Sequence, residues 1–187
     1  MSTDQKIVNS VMDSVKEFLI EMKEDNDRAV VIVGAANVDY LLRRLIEQSL
    51  LPRLNKEDEL LDGDSSLSTF SSKIHLCYRL GLIDKEFSQL LHILRKLRND
   101  FAHKIKGCDL NSPPHSDRVN ELAKHLKDSL LLKELRGFFP GNSACSRDFR
   151  IILSLISSLL EMRLRYMPKS MKANPISISW IPKRVDT

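Results

Sequence analysis

Arg98-Asn99-Asp100-Phe101-Ala102-His103 gathers the side chains of this chain best suited to chemistry. A guanidinium is a permanent cation whose planar fork matches phosphate oxygens. An imidazole exchanges protons near neutral pH. Placed five residues apart, Arg98 and His103 are what phosphate binding or phosphate chemistry would use. Asn99 stands four residues before His103 and so shares its face of a helix. The same residues also suit a structural joint. Arg98 then pairs with Asp39 or Glu47 of an earlier helix, Asn99 and Asp100 bond backbone in a last turn, and His103 rests against the negative end of the helix dipole.

The segment that must position them covers residues 84–103. Phe87, Leu91, Leu94, Arg98 and Phe101 recur there at steps of three and four, which places them on one stripe of a helix. Arg98 falls in line with that apolar seam. Burying a guanidinium unpaired costs roughly several kcal/mol. The expectation is therefore a shielded Arg98 bonded to a carboxylate, Asp39 first. Asp84 caps this helix, and Gly81 closes the one before it as a left-handed cap. A joint that short makes the two an antiparallel pair.

Further helices follow from the same periodicity. The first covers about residues 3–23, with Ile7, Val11, Val15, Phe18 and Met22 on one face. The Asp25-Asn26-Asp27 cluster offers caps for a second, about residues 27–51, whose Val30, Val33, Ala36, Tyr40 and Leu41 are expected in the core. Pro52 ends it, and an acidic loop spans residues 55–64. The third runs about 67–80 with Ser68 as its cap. After a loop over residues 104–115, Ser116 opens a fifth helix to about Leu132. The last starts at Ser146 or Arg147 and is apolar around much of its circumference. Such a helix is central to a bundle or covered by a second subunit. The expected fold is thus all-α, a single bundle of about six helices over residues 1–167, with the second, third, fourth and last at its core. Residues 168–187 read as a basic, proline-containing tail in which residues 176–181 could dock as an extended strand.

Composition excludes several classes. The 187 residues include 6 glycines, 42% hydrophobic and 29% charged residues, an ordinary balance for a water-soluble, helix-rich domain. No apolar stretch is long enough to span a bilayer, and the start of the chain has no signal-peptide core. Three widely spaced cysteines (Cys77, Cys108, Cys145) indicate free thiols in a reducing cytoplasm. The net charge of +4 is uneven. Arg95, Lys96, Arg98, Lys104 and Lys106 stand against Asp100 alone in residues 92–106. Arg163, Arg165, Lys169, Lys172, Lys183 and Arg184 stand against Asp186 towards the end. These clusters favour an anionic partner, or are simply a solvated helix face and a soluble tail.

Other chemistry is poorly supported. His75 near Cys77 does not make a metal site, and His92, His115 and His125 stand alone in the sequence. The acidic and serine residues Asp62, Asp64, Ser65 and Ser66 lack the twelve-residue calcium pattern. Ser68, Ser71 and Ser72 have no base placed to activate them. The sequence calls for no metal and no cofactor.

Ala36-Asn37-Val38-Asp39-Tyr40-Leu41-Leu42, Leu67-Ser68-Thr69-Phe70-Ser71-Ser72-Lys73-Ile74, Tyr78-Arg79-Leu80-Gly81-Leu82-Ile83 and Ile93-Leu94-Arg95-Lys96-Leu97-Arg98-Asn99-Asp100-Phe101-Ala102-His103, in this order and spacing, resemble the mannitol operon repressor family. Arg147-Asp148-Phe149 is similar to that family too. Within these stretches Asp39, Ser71, Lys73, Arg95 and Asp100 are the candidate binding residues. The resemblance implies an all-helical cytoplasmic regulator of sugar-alcohol uptake genes, without a DNA-reading helix and acting through a partner regulatory protein. More narrowly, Arg98 and His103 resemble the Arg-x4-His motif of the HEPN superfamily. Its catalytic members cut RNA without a metal, two subunits joining their Arg-His pairs. That resemblance implies His103 as the proton-transferring group, Arg98 as the holder of the scissile phosphate, and Asn99 as an orienting residue.

Three function classes stay open: a regulator, a metal-independent ribonuclease and a non-catalytic interaction module. The last helix and a composite Arg-His cleft both favour a homodimer. DNA contact, if any, is expected to be weak, salt-sensitive and indifferent to sequence.

Overall fold

A computed structural model of the chain describes residues 3–23, 25–53, 55–104, 106–125, 134–137 and 143–166, with side chains from residue 12 onward. Its longer elements are α1 (Thr3–Glu21), α2 (Asp27–Ser49), α3 (Phe70–Arg79), α4 (Lys85–His103), α5 (His115–Lys124) and α6 (Ala144–Tyr166). Residues 134–137 add a single helical turn, and no strand occurs among the described residues. The fold is all-α, as the sequence predicts. The expected tail from residue 168, with its candidate strand, lies outside the described residues.

Local sequence explains where the helices begin. Asn26 Oδ1 accepts the Ala29 amide at 2.9 Å, and Asp84 Oδ1 accepts the Phe87 amide at 2.8 Å. Each satisfies a first-turn donor that the helix cannot. The third helix corrects expectation. Thr69, whose Oγ1 accepts the Ser72 amide at 3.1 Å, is its cap, and α3 starts at Phe70. Ser68 instead donates to the Ser65 carbonyl within the preceding turn. Gly81 takes φ +68° just past the end of α3, where a side chain would be strained. α5 is described only to Lys124, and α6 starts at Ala144, two residues ahead of the expected start.

Cross-contacts set the directions. Gly34 meets Leu153, Asn37 donates to Ser157 and Gln48 donates to the Leu164 carbonyl, so α2 and α6 run parallel. Lys73 bonds Asp39 and the Cys77 thiol donates to the Leu42 carbonyl, so α3 also runs parallel to α2. Arg28 reaches the Phe101 and Lys104 carbonyls, which makes α4 antiparallel to α2. α1 is antiparallel to α6, with Ser14 near Glu161 and the Met22 carbonyl near Arg150. One apolar cluster joins α2, α3, α4, α5 and α6. A second joins Val15 and Leu19 of α1 to Leu135, Ile151 and Leu155.

The face of α2 differs from the sequence reading, and for α6 the structure selects one of the two expected alternatives. On α2, Val30 and Leu41 are buried, but Val33 and Tyr40 are 68% and 52% exposed and Ala36 is exposed as well. The run Ala29-Val30-Val31-Ile32-Val33 is apolar on every side, so its period does not choose a face. Gly34 does: a Cβ there would lie 2.1 Å from Leu153 Cδ2, so a larger residue would have to displace that buried side chain of α6. On α6, every residue from Asp148 to Ser158 is buried. The helix is central, covered by α1, α2 and α5 of its own chain. Its apolar surplus therefore supplies no argument for a second copy.

Candidate site at the end of α4

The end of α4 is anchored from below and open above. Leu90, Leu94, Leu97 and Phe101 form the centre of its buried seam. Arg98, one position past Leu97, falls at the edge of that seam and is exposed. The expected Arg98–Asp39 pair is absent. Arg98 Nη1 donates to Asn99 Oδ1 at 3.2 Å instead, and Asp39 Oδ2 accepts from Lys73 Nζ at 2.8 Å. Lys73, 5% exposed, is the buried cation that needed the carboxylate. Exposure also removes the burial-cost argument for Arg98, so its significance rests on residue type and position.

Asp100 does the anchoring. Its Oδ2 accepts from Arg118 Nη1 of α5 at 2.5 Å, and its Oδ1 lies 3.7 Å from Lys104 Nζ. The Arg118 hydrogen bond, with the charges of Arg118, Lys104 and His115, holds the Asp100 carboxyl below the usual carboxylate range. His115 is buried beneath it. Its ring meets Phe101 edge-on at 5.0 Å, Nδ1 lies 3.3 Å from the Asp109 carbonyl, and Nε2 comes within 3.4 Å of Asp100 Oδ2 without hydrogen-bond alignment. Arg28, at the start of α2, donates to the Phe101 and Lys104 carbonyls. It thereby satisfies acceptors that the end of a helix leaves open.

Above this base Ala102, His103, Lys104 and Lys106 are exposed with Arg98, while Asn99 is half-buried. A spacing of five turns Arg98 about 140° around the helix from His103. The bond to Asn99 draws the guanidinium back towards the face that Asn99 and His103 share. The result is a cationic, hydrogen-bond-donating surface on a fixed helix end.

The other expected binding residues do not join it. No hydrogen bond or ion pair among the described residues links Asp39 and Lys73 to Asp100. Ser71 is half-buried in the first turn of α3. Arg95 is half-buried on α4, its Nε enclosed without a hydrogen-bond partner. Near it the His92 and His75 rings pack at 4.8 Å. Burial first, then the charges of His75, Arg95 and Lys96, lower the pKa of His92. Cys77 is buried, which pushes its thiol up to about 12 and leaves it unreactive. No cluster of three or more metal-ligating side chains occurs among the described residues.

Sequence reading missed Arg28, Arg118 and His115, whose partners lie far along the chain, and also the most enclosed cation, Arg150. Arg150 is 3% exposed on α6. Its Nη1 donates to Asp27 Oδ1 at 2.8 Å, to the Ser146 carbonyl at 3.2 Å and to the Ser146 hydroxyl. Nη2 donates to the Asp25 carbonyl at 2.7 Å and Nε to the Met22 carbonyl at 3.3 Å. The signal was present: Arg150 interrupts the apolar run Phe149 to Ile152.

Fold and site together define an all-helical domain with a cationic helix end, and no helix among the described residues is long and apolar enough to cross a membrane. No family model, characterised protein or solved structure matches the chain.

Proposed function

We propose that the chain is a regulator of the mannitol operon repressor kind that has no DNA-reading helix of its own. It touches nucleic-acid phosphates weakly through the end of α4 and takes its specificity from a partner protein. The observation that carries this reading is the contrast at that end, where Asp100, Arg28 and Arg118 fix the helix from below while Arg98, His103, Lys104 and Lys106 face solvent. Reading bases needs a helix or ribbon that projects into the major groove. The helices here bury their apolar faces against one another, and α4 presents its last turn rather than a side. Phosphate contacts alone give affinity that falls steeply with salt. The test is a competition titration at near-physiological salt, with DNA from upstream of the chain's own gene against unrelated DNA. Near-equal affinities are expected. A preference of roughly a thousandfold, the range of specific binders, contradicts the proposal.

A second reading is a HEPN-type ribonuclease, favoured by one contact: the Arg98 guanidinium turned onto Asn99, towards the His103 face. Labelled RNA incubated with the protein and a chelator tests it. Cleavage lost in both Arg98→Ala and His103→Ala, with folding intact, selects this reading; intact RNA with the native protein rejects it. In a homodimer the two helix ends would supply a composite cleft, which light scattering across concentration checks.

A further inference from the structure

The opposite end of the bundle carries a cleft of about 770 Å³ where α2 runs into the loop that follows it. Leu51 and Leu60 line it and are 56% and 51% exposed, an apolar surface left open to water. Around them stand Glu57, Asp58 and Glu59, together with Glu47, which Arg43 already pairs at 2.8 Å; Arg53 is the one base among the described lining residues. An apolar floor within an acidic rim fits a segment that is basic and carries large apolar side chains.

The chain itself holds such a segment. Residues 167–187 contain Lys169, Lys172, Lys183 and Arg184 against Asp186, and between the bases comes Ile176-Ser177-Ile178-Ser179-Trp180-Ile181. That alternation would set Ile176, Ile178 and Trp180 on one side of an extended stretch. Its starting point lies nearby. Gln48 Nε2 donates to the Leu164 carbonyl at 3.3 Å, which pins the end of α6 to the end of α2, one residue from Glu47 of the cleft lining. The ten residues from Tyr166 to Ile176 span up to about 35 Å when extended, ample for a return to the cleft.

We propose that this acidic cleft is the docking site of the chain's own segment 167–187, with Ile176, Ile178 and Trp180 seated on Leu51 and Leu60 and the flanking bases against the acidic rim. The proposal is independent of the reading of α4, which lies at the other end of the bundle.

Trp180 is the sole tryptophan, so the intact chain reports on its own segment. Docking predicts emission at shorter wavelength than free tryptophan and reduced quenching by acrylamide. Glu57→Lys combined with Glu59→Lys, and separately Leu60→Asp, should return both signals to those of a free peptide. Added salt should do so in part, because it screens the rim. Glu121→Lys on α5 should leave them unchanged. Circular dichroism verifies that each variant keeps its helices, and the salt titration needs no variant at all. Free-tryptophan emission in the native chain overturns the proposal. So does shielding that survives both cleft changes, or shielding that grows with protein concentration, which would place a second copy in the cleft.

Discussion

Arg150 interrupts an apolar run of α6 and Arg98 stands at the edge of the apolar seam of α4, and the fold treats the two oppositely. Arg150 is enclosed, and its three nitrogens bond Asp27, Ser146 and the carbonyls of Met22 and Asp25. Arg98 is exposed and donates to its neighbour Asn99. The two regions share one end of the bundle and adjoin through consecutive residues, since Asp27 receives Arg150 and Arg28 holds the end of α4. An arginine that closes several helix ends at once is a structural joint. An arginine on a fixed helix end with no carboxylate partner among the described residues can meet an anion from outside.

The comparison breaks most severely at the joint. Arg150→Met leaves Asp27 with the Ser146 hydroxyl but no cation and strands two loop carbonyls, and should lower unfolding free energy by about 3–5 kcal/mol in urea titrations. A loss below about 1 kcal/mol, the scale of a neutral hydrogen bond, would mean that water replaces the guanidinium and the joint is not one.

The Lys73–Asp39 pair sharpens the contrast between enclosed and open charge. Lys73 is enclosed while the Asp39 side chain is 30% exposed, so the two deletions should be unequal. Asp39→Ala abandons a buried ammonium and should cost about 2–3 kcal/mol. Lys73→Met leaves a carboxylate that water can reach and should cost less. Equal losses in thermal unfolding contradict this order.

Next comes Gly34→Ala. Helix propensity favours alanine by roughly 1 kcal/mol, but the clash with Leu153 should outweigh it and destabilise by about 1–2 kcal/mol net. Raised stability would show that the Leu153 side chain makes way without cost.

These positions show what was legible in the sequence. Helix number, the caps at Asn26 and Asp84 and the turn at Gly81 follow from local signals, which need only neighbouring residues. The seam of α4 is largely legible because Leu91, Leu94 and Phe101 fit either register, and Arg98 departs from it because Leu97 continues the centre. Faces of α2 were illegible, since Val33 and Val31 are chemically alike and only packing against α6 separates them. The anchors of the site were hidden for a different reason. Arg28, Arg118 and His115 reach Asp100 and its neighbours across long separations, and one sequence holds no record of such pairings.

A smaller effect is expected with pH. The folded Asp100 carboxyl titrates below its unfolded value, so its stabilising contribution is present above the ordinary carboxylate range and is lost as pH falls through the lowered value. Melting temperature followed from about pH 5 to 2 should drop more gently in Asp100→Asn than in the native chain. Parallel curves would mean that Arg118 does not hold this carboxyl.

The most direct test of the central claim, that the end of α4 is a contact surface rather than a joint, pairs stability with binding in Arg98→Ala. Unfolding free energy should stay within about 0.5 kcal/mol of the native chain, the range of ordinary surface changes. Anisotropy of labelled duplex DNA across a salt series should show weaker binding and a salt slope shallower by about 1, one phosphate contact fewer. Unchanged binding, or a stability loss approaching that of Arg150→Met, contradicts the account.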